Sequence, residues 1–207
     1  MINTILTYDH LDNDLGSFFE SCALKTKGST NSDFNILEIN SQQLNELAFQ
    51  FHTESVNKQS FLFISYTHGS ETGLLKNGIT PFISETINTR CLKNSFAYCF
   101  ACHSGKILGS TLIKNGAIAF VGYNDKVTIQ KFFDAFNSFV DCATSGIIYF
   151  ISGMGLNESV AKMKEKYTDC IDRFYLKDMI IASFFMENRD AIVVLGDDKI
   201  LIQQFHN

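Results

Sequence analysis

The sequence predicts an α/β fold with a mostly parallel central sheet and helices on both of its faces. Short apolar runs alternate along the chain with longer amphipathic stretches, the pattern of strands that alternate with helices. Residues 61–67 and 95–101 are almost continuously apolar, as strands are when helices cover both faces of a parallel sheet. The chain has 207 residues, of which 45% are hydrophobic, so we expect one core and one domain over residues 1–207.

The first half of the chain alternates three predicted strands with more polar segments. The strands are predicted over residues 2–8, 34–39 and 61–67. A short helix is predicted around residues 17–23 and a second over residues 42–52, for which Ser41 is a suitable N-cap residue. The expected buried face of the second helix consists of Leu44, Leu47, Ala48 and Phe51. Residues 74–81 predict a short hairpin or an irregular segment, and residues 82–92 a helix.

The second half repeats the alternation with longer helices. Strands are predicted over residues 95–101, 117–123, 191–196 and 200–203. Helices are predicted over residues 106–114, 128–142, 157–175 and 177–188. The second of these helices carries large apolar side chains at helical spacing, which predicts packing into the core and not a cofactor site: Phe132, Phe133, Phe136, Phe139 and Val140.

Composition and charge exclude several classes of function. The net charge is −5 and basic runs are absent from the sequence, so we expect no nucleic-acid partner. Apolar runs are far shorter than the ~20 residues of a membrane span, and the start of the chain does not resemble a secretory leader, so we expect no membrane and a cytoplasmic location. The six cysteines are then expected as free thiols and not as a disulfide framework.

Two predicted strands end in residues that carry chemistry. One is followed by His68-Gly69, and the other by Cys102-His103-Ser104-Gly105. In open α/β sheets, sites form beyond the carboxyl ends of the strands. His68 and Cys102 are 34 positions apart (102 − 68), which suits a crossover and the next strand. If the two strands are parallel neighbours, the imidazole and the thiol emerge at the same edge of the sheet.

This pair of side chains suits nucleophilic catalysis. A free thiol has a pKa of about 8.5, so an imidazole beside it is needed to take the proton and later to return one to the leaving group. The oxyanion that forms on the attacked carbonyl needs backbone N–H donors. The amide of Gly69 is a suitable donor because the residue has no side chain to block a substrate. The amide of Cys102, at a turn from strand to helix, is a second.

These motifs resemble the caspase-like cysteine peptidases of clan CD. A strand ending in His-Gly precedes a strand ending in Ala-Cys-x-Ser-Gly, and further features follow in order. They are Lys-Asn-Gly-Ala at residues 114–117 before a strand, Leu-Asn-Glu-Ser-Val-Ala at 156–161 opening a helix, and Val-Val-Leu-Gly-Asp at 193–197. The resemblance spans roughly residues 60–200, and it is closest to the bacterial CHAT and gingipain-like domains.

The resemblance implies a fold, a reaction and a mode of control. The fold would be the caspase-like three-layer sandwich. The reaction would be cleavage of a protein or peptide substrate by a dyad of His68 and Cys102 through a thioester, with oxyanion donors at Gly69 and Cys102 and without metal or cofactor. Control by a regulatory protein or ligand would act on the loops at residues 69–77 and 124–128. Bacterial relatives often serve in defence.

The sequence departs from true caspases around the predicted nucleophile. His103 follows Cys102 where caspases have Arg-Gly, and the spacing from histidine to cysteine is shorter than the ~50 residues of caspases. Specificity for aspartate is therefore not implied. In related enzymes the loops after the first strand and after the strand that follows the nucleophile line the substrate pocket.

In this chain those two loops contain Asp9 and the pair Asn124-Asp125. Carboxylates there would favour a substrate with Arg or Lys, and His103 could line the same cleft. The alternative is that Asp9 and Asp125 are helix caps or solvated loop residues.

Two other functions remain open at the level of sequence. A caspase-like domain without activity would serve as a binding or scaffold module. Alternatively, Cys99 and Cys102 could form a redox pair, a zinc site or, with His103, a haem attachment motif. A position inside a predicted buried strand makes Cys99 a poor ligand. The remaining cysteines carry no motif and are expected in the core or at the surface: Cys22, Cys91, Cys142 and Cys170.

Overall fold

A computed structural model describes residues 1–131 and 133–206 of the chain. The first half contains β1 (Ile2–Tyr8), α1 (Gly16–Gly28), β2 (Phe34–Asn40), α2 (Glu46–Glu54), β3 (Phe61–Tyr66), β4 (His68–Gly69), β5 (Gly73–Lys76) and β6 (Thr80–Ser84). The second half contains β7 (Ser95–Phe100), α3 (Leu108–Lys114), β8 (Ala119–Tyr123), α4 (Phe133–Ile151), α5 (Leu156–Tyr175), α6 (Met179–Ala191) and β9 (Ile192–Gly196).

The central sheet has six strands in the order β2-β1-β3-β7-β8-β9. Neighbouring strands are parallel from β2 to β8, and only the pairing of β8 with β9 is antiparallel. Parallel neighbours need crossover connections, and the intervening helices supply most of them. The mostly parallel α/β sheet that the sequence predicts is therefore confirmed.

Two apolar clusters lie on opposite faces of this sheet. Strand β7 contributes to both, because its successive side chains point in opposite directions. Phe96, Tyr98 and Phe100 join the cluster that α1, α4, α5 and α6 complete. Ala97 and Cys99 join the cluster on the other face, which receives side chains from α2 and α3. The sheet is thus the middle layer of three, as predicted.

A small antiparallel sheet lies between β3 and β7 in the chain. It consists of β4, β5 and β6, and the turn between β5 and β6 contains Asn77 and Gly78. Both residues have positive φ angles, 51° and 67°, which asparagine and glycine tolerate better than other residues. The hairpin expected at residues 74–81 is therefore present.

Two predicted elements are wrong. Residues 82–92 form the end of β6 and a 3₁₀ turn over Thr89–Leu92 instead of a helix. Asn88 interrupts the segment with a φ of 61°. Its side-chain amide donates hydrogen bonds to the Phe82 and Glu46 carbonyls, each at 2.9 Å. The predicted strand at residues 200–203 is a 3₁₀ turn over Ile202–Phe205, because that conformation packs both of its end residues into the core.

Helix α2 begins one turn later than predicted. Asn45 caps it, since its side-chain oxygen accepts a hydrogen bond from the Ala48 amide at 3.0 Å. The later start turns Phe49 into the core and leaves Leu47 and Phe51 with 75% and 73% of their surface exposed. Of the three large side chains predicted to be buried, only Leu44 is buried.

Helix α4 also begins later than predicted, after a loop over residues 124–131. Phe139 and Val140 are buried, and Phe136 packs against the same cluster, so their core role is confirmed. Phe132, the first member of the predicted stripe, lies outside the described residues. In the described ranges, helices of the length and apolarity needed to cross a bilayer do not occur.

Substitution of Phe49 should destabilise the protein far more than substitution of Phe51. Phe49→Ala leaves a cavity between α2, β3 and β6, where Phe49 contacts Phe63 and Phe82, and should cost about 3–5 kcal/mol in the free energy of unfolding. Phe51→Ala removes an exposed ring and should change the free energy of unfolding by less than ~0.5 kcal/mol. Urea unfolding measures both. Equal losses would contradict the orientation of α2.

Candidate active site

The predicted nucleophile and base follow the ends of two neighbouring parallel strands. Strand β3 pairs with β7 so that Phe61 lies opposite Ser95 and Tyr66 opposite Phe100, an offset of 34 residues (100 − 66). The same offset separates His68 from Cys102. Beyond the paired strands the two segments stay together, because the Thr67 amide donates a hydrogen bond to the Phe100 carbonyl at 3.4 Å. His68 and Cys102 therefore leave the sheet at one edge, side by side.

Gly69 is in direct contact with the residue that carries the thiol. A methyl group added at Gly69 would lie 2.5 Å from the Cys102 carbonyl oxygen and 2.7 Å from the Ala101 β-carbon. Contacts this short do not occur in folded proteins, so only glycine fits against this backbone. The His-Gly and Ala-Cys motifs therefore contact each other.

The His68 ring is in contact on two sides and covered on a third. Its Nε2 atom lies 3.1 Å from Oδ2 of Asp12. The Phe19 ring meets it edge-on, with centroids 5.4 Å apart and planes at 89°. A methyl group at Gly78 would lie 3.7 Å from the imidazole, so the β5–β6 turn packs over the ring without touching it. These contacts fix the imidazole plane.

Asp12 is a site residue that the sequence analysis missed. Its Oδ1 atom accepts hydrogen bonds from the amides of Leu15 and Asp14 at 2.6 and 3.0 Å, just before α1, and its Oδ2 atom faces His68. Burial alone would raise the pKa of Asp12, but the Leu15 amide and His68 hold that pKa below its ordinary value. The available signal was a short Asp-x-Asp-Leu segment at a helix start.

The ionised Asp12 determines which nitrogen of His68 can act as a base. A carboxylate only accepts hydrogen bonds, so Nε2 must carry the hydrogen that faces it. Nδ1 then presents its lone pair on the other side of the ring, where it can accept a proton. The structure thus provides the orienting group that a histidine base requires.

Asp9, predicted to line a substrate pocket, is completely buried. Its Oδ1 atom accepts a hydrogen bond from the Ser41 hydroxyl at 2.7 Å, and its Oδ2 atom accepts one from the Asn77 amide at 2.6 Å. Asp9 therefore ties the β5–β6 turn above His68 to the end of β1. This geometry favours an anchoring role over direct contact with a substrate side chain.

The turn after Cys102 explains the Cys-His-Ser-Gly motif. His103 has a φ of 56°, which reverses the chain directly after the thiol. The Ser104 hydroxyl closes the turn by donating to the Ala101 carbonyl at 2.9 Å. A methyl group at Gly105 would lie 2.3 Å from Cγ1 of Val193, so this position accepts glycine only. Ser104 and Gly105 therefore shape the turn that presents Cys102.

The Cys102 thiol is hydrogen-bonded to the backbone of a loop. Its sulfur accepts a hydrogen bond from the Val127 amide at 3.3 Å, and the S–H group donates to the Val127 carbonyl at 3.7 Å. Among the residues that the structure describes, hydrogen bonds between Cys102 and His68 are absent. The loop over residues 124–128, for which the sequence analysis predicted contact with a substrate and a role in control, lies directly at the sulfur.

Asn188 holds this loop in place. Its side chain is completely buried. It accepts a hydrogen bond from the Thr128 amide at 2.9 Å and donates one to the Thr128 carbonyl at 2.8 Å. The His103 amide adds a bond to the Asp125 carbonyl at 3.0 Å. Backbone groups on both sides of Val127 are thus fixed to α6 and to the Cys102 turn.

An acidic cleft of about 450 Å³ is lined by residues of this loop and of α6. Two predicted substrate residues, Asn124 and Asp125, line it, and α6 adds Glu187 and Asp190. Asp125 is exposed over 79% of its side chain and lies 3.8 Å from Nδ1 of His103. Arg189 pairs with Asp190 at 2.8 Å, so Asp125 and Glu187 against Lys126 give the cleft a small negative charge.

The structure does not bring the two cysteines of the Cys-x-x-Cys-His pattern together. Cys99 is buried in the cluster beneath α2 and α3, whereas Cys102 packs against the cluster on the opposite face. Burial raises the pKa of the Cys99 thiol well above its ordinary value. Within the described part of the chain, groups of three or more metal-ligating side chains are not found.

Comparison with known proteins identifies the fold. The sequence matches no family model and no curated protein. The crystal structure of the Arg-specific cysteine proteinase gingipain R (RGPB) superposes with a TM-score of 0.64 at 14% identity, over 96% of this chain and 47% of that chain. The complex of Porphyromonas gingivalis RgpB pro- and mature domains gives 0.60 at 12% identity, over 99% of this chain and 48% of that one.

A third solved structure is an inactive zymogen of a C11 protease from Parabacteroides distasonis, with a TM-score of 0.44 at 14% identity, over 61% of this chain and 49% of that one. The chain spans about half the length of the solved chains that it resembles. The likeness to gingipain confirms the predicted caspase-like fold.

The contribution of Asp12 to stability should depend on pH. Its pKa is below the ordinary 3.8 in the folded protein, so its ionised form stabilises the fold above that pH, and the effect is lost as the pH falls through the lower folded value. Asp12→Ala should cost roughly 1–3 kcal/mol at pH 7. The difference from the unsubstituted protein should shrink below about pH 4.

Urea unfolding at pH 7 and at low pH measures this difference. Asp14→Ala removes an exposed carboxylate from the same turn and should change stability little at either pH. A loss for Asp12→Ala that stays constant with pH would contradict the role of its charge.

Proposed function

We propose that the chain is a cysteine endopeptidase with Cys102 as nucleophile and His68 as base. The observation that carries the proposal is the shared 34-residue offset, which aligns His68 with Cys102 just beyond the paired ends of β3 and β7. The close fit of Gly69 against Cys102 and the caspase-like fold add support. Asp12 is the positioning residue for the imidazole.

The first chemical step would transfer the thiol proton to Nδ1 of His68. The sulfur then attacks the carbonyl carbon of the scissile peptide bond, and the carbonyl oxygen takes the negative charge. The amides of Gly69 and Cys102 are the proposed donors to this oxyanion. Nδ1 returns its proton to the departing amine as the C–N bond breaks, which leaves a thioester on Cys102.

The second step would hydrolyse the thioester. With the amine gone, a water molecule enters and loses a proton to His68 as its oxygen attacks the thioester carbon. Collapse of the intermediate breaks the C–S bond and returns the proton to the sulfur. The enzyme is restored without a metal or cofactor in any step.

The loop over residues 124–128 would act as a brake on this reaction. The Cys102 S–H group points to the Val127 carbonyl, so the proton is not directed at His68. Substrate or a regulatory partner would have to displace Val127 before proton transfer. The two bonds of Asn188 to Thr128 oppose that displacement.

The acidic cleft would select substrates with a basic residue. Asp125 and Glu187 supply two carboxylates at or near the loop that contacts Cys102, whereas Asp190 is paired with Arg189. An arginine guanidinium pairs with carboxylates through two parallel hydrogen bonds, which gives direction as well as charge. The solved neighbour gingipain R is described as Arg-specific, which agrees with this choice.

One observation favours a second candidate, a caspase-like module that binds partners without cleaving them. The thiol is bonded to Val127, and within residues 1–131 and 133–206 it has no hydrogen bond to His68. A loop held permanently in this position would leave the dyad silent. The two candidates differ in whether purified protein cleaves any peptide.

Cleavage should depend on both members of the dyad. With the purified full chain and a peptide library, Cys102→Ala and His68→Ala should each lower the rate of cleavage by a factor of at least ~10³ while circular dichroism stays unchanged. Cys91→Ala removes another partly exposed thiol and should leave cleavage intact.

Mass spectrometry of the cleaved peptides reports the residue before each cut, where we expect Arg or Lys. Activity retained by Cys102→Ala would refute the proposed mechanism. If neither the unsubstituted protein nor Asn188→Ala cleaves any peptide of the library, the binding module is favoured.

Release of the loop should expose Cys102. Asn188→Ala removes both hydrogen bonds to Thr128, so the loop should open more often and iodoacetamide should alkylate Cys102 roughly tenfold faster. Asn115→Ala breaks a side-chain hydrogen bond to Thr89 near the start of β7, at the opposite edge of the sheet from Cys102, and serves as control. An unchanged alkylation rate in folded Asn188→Ala would show that the hydrogen bonds between Asn188 and Thr128 do not limit access of the reagent to Cys102.

A further inference from the structure

Two buried cysteines face each other in the helical layer away from the proposed dyad. Cys142 lies on α4 and Cys170 on α5, and both are buried, with 0% and 5% of their surface exposed. Their sulfur atoms are 3.6 Å apart. A disulfide bond is ~2.05 Å long, so an approach of about 1.5 Å would join them. We propose that Cys142 and Cys170 are a reversible redox pair that peroxide converts into a disulfide between α4 and α5.

The surroundings of the two sulfurs are unequal. The Cys142 and Cys170 thiols form a hydrogen bond with each other, and a terminal nitrogen of Arg173 donates to the Cys170 sulfur at 3.5 Å. Lys166 also lies nearby, but its charge is paired with Asp141 at 3.8 Å, so the contact with Arg173 is what distinguishes the two sulfurs. Negative charge is therefore better stabilised on Cys170 than on Cys142.

The pKa directions agree with this geometry. The hydrogen bond with Cys142 lowers the pKa of Cys170, burial and the Asp141 carboxylate oppose this effect, and the charges of Arg173 and Lys166 lower the pKa further. The same hydrogen bond and burial raise the pKa of Cys142. Because the thiolate is the reactive form, Cys170 is the sulfur that attacks and Cys142 the one that resolves.

The pair differs from the other buried cysteines of the described chain. Cys22 and Cys99 are each buried with a raised pKa, and neither has a second sulfur within hydrogen-bonding distance. Arg173 covers Cys170 from the exposed end of α5, so movement of one flexible side chain admits a molecule as small as peroxide. Position and access therefore single out Cys170.

The reaction balances with hydrogen peroxide as the oxidant. The Cys170 thiolate attacks one peroxide oxygen, the O–O bond breaks, and the sulfur becomes a sulfenic acid as hydroxide leaves. Cys142 then loses its proton and attacks the Cys170 sulfur, which forms the S–S bond and expels a second hydroxide. Two thiols and one peroxide give one disulfide and two water molecules.

The test treats the full chain with hydrogen peroxide, alkylates the remaining thiols and maps the products by mass spectrometry. We expect a cross-linked peptide pair containing Cys142 and Cys170, lighter by two hydrogen atoms and restored by dithiothreitol. The melting temperature of the oxidised protein should rise by roughly 5–10 °C, because the bond closes a loop of 28 positions. The Cys102→Ala variant should give the same cross-link, since the proposed nucleophile takes no part.

Two variants test the order of attack. In Cys142→Ser, dimedone should trap a sulfenic acid at Cys170, whereas in Cys170→Ser it should trap none at Cys142. Trapping in the reverse pattern would overturn the assignment of the attacking sulfur. If Cys142 and Cys170 of the unsubstituted protein stay fully alkylatable at a peroxide dose that oxidises the partly exposed Cys91, the redox pair itself is refuted, whether or not the variants fold.

Discussion

The pairing of β3 with β7 is the constraint on which the site depends. Both strands are buried on both faces, so a shift of register by one residue would turn apolar side chains toward the wrong cluster. The register is therefore fixed by the core and not by the site. Once it is fixed, the residues that follow the two strands must leave the sheet together. Gly69 and Cys102 then come into contact, and this close approach is possible because Gly69 has no side chain.

Three buried or half-buried polar side chains complete the arrangement around this edge. Asp12 orients the imidazole, Asp9 holds the turn above it, and Asn188 holds the loop at the thiol. Each satisfies backbone amides that would otherwise lie unpaired near the sheet edge, where an unmade hydrogen bond is costly. The same bonds that stabilise the loops thus determine the positions of the reactive groups.

The sequence predicted what depends on strand and helix periodicity. The parallel sheet and its two apolar faces follow from short-range patterns, whereas the neighbouring positions of His68 and Cys102 were predicted on the condition that their strands are parallel neighbours. Asp12 and Asn188 could not be predicted, because each acts through a partner far along the chain; Asn188 lies 60 positions from Thr128. Phe49 and Phe51 were exchanged because the pattern was read from a helix capped by Ser41, whereas Asn45 is the cap, and the spacing of apolar residues alone does not fix the rotation of so short a helix about its axis.

The bonds between Val127 and Cys102 have a consequence for what the protein could process. A segment tethered beside the sulfur competes with every incoming chain at an effective concentration in the millimolar range. Short peptides that bind weakly would lose this competition, whereas an extended polypeptide with contacts along several residues could win it. The loop would then filter substrates by the total length of chain they engage, in addition to any preference for a single side chain.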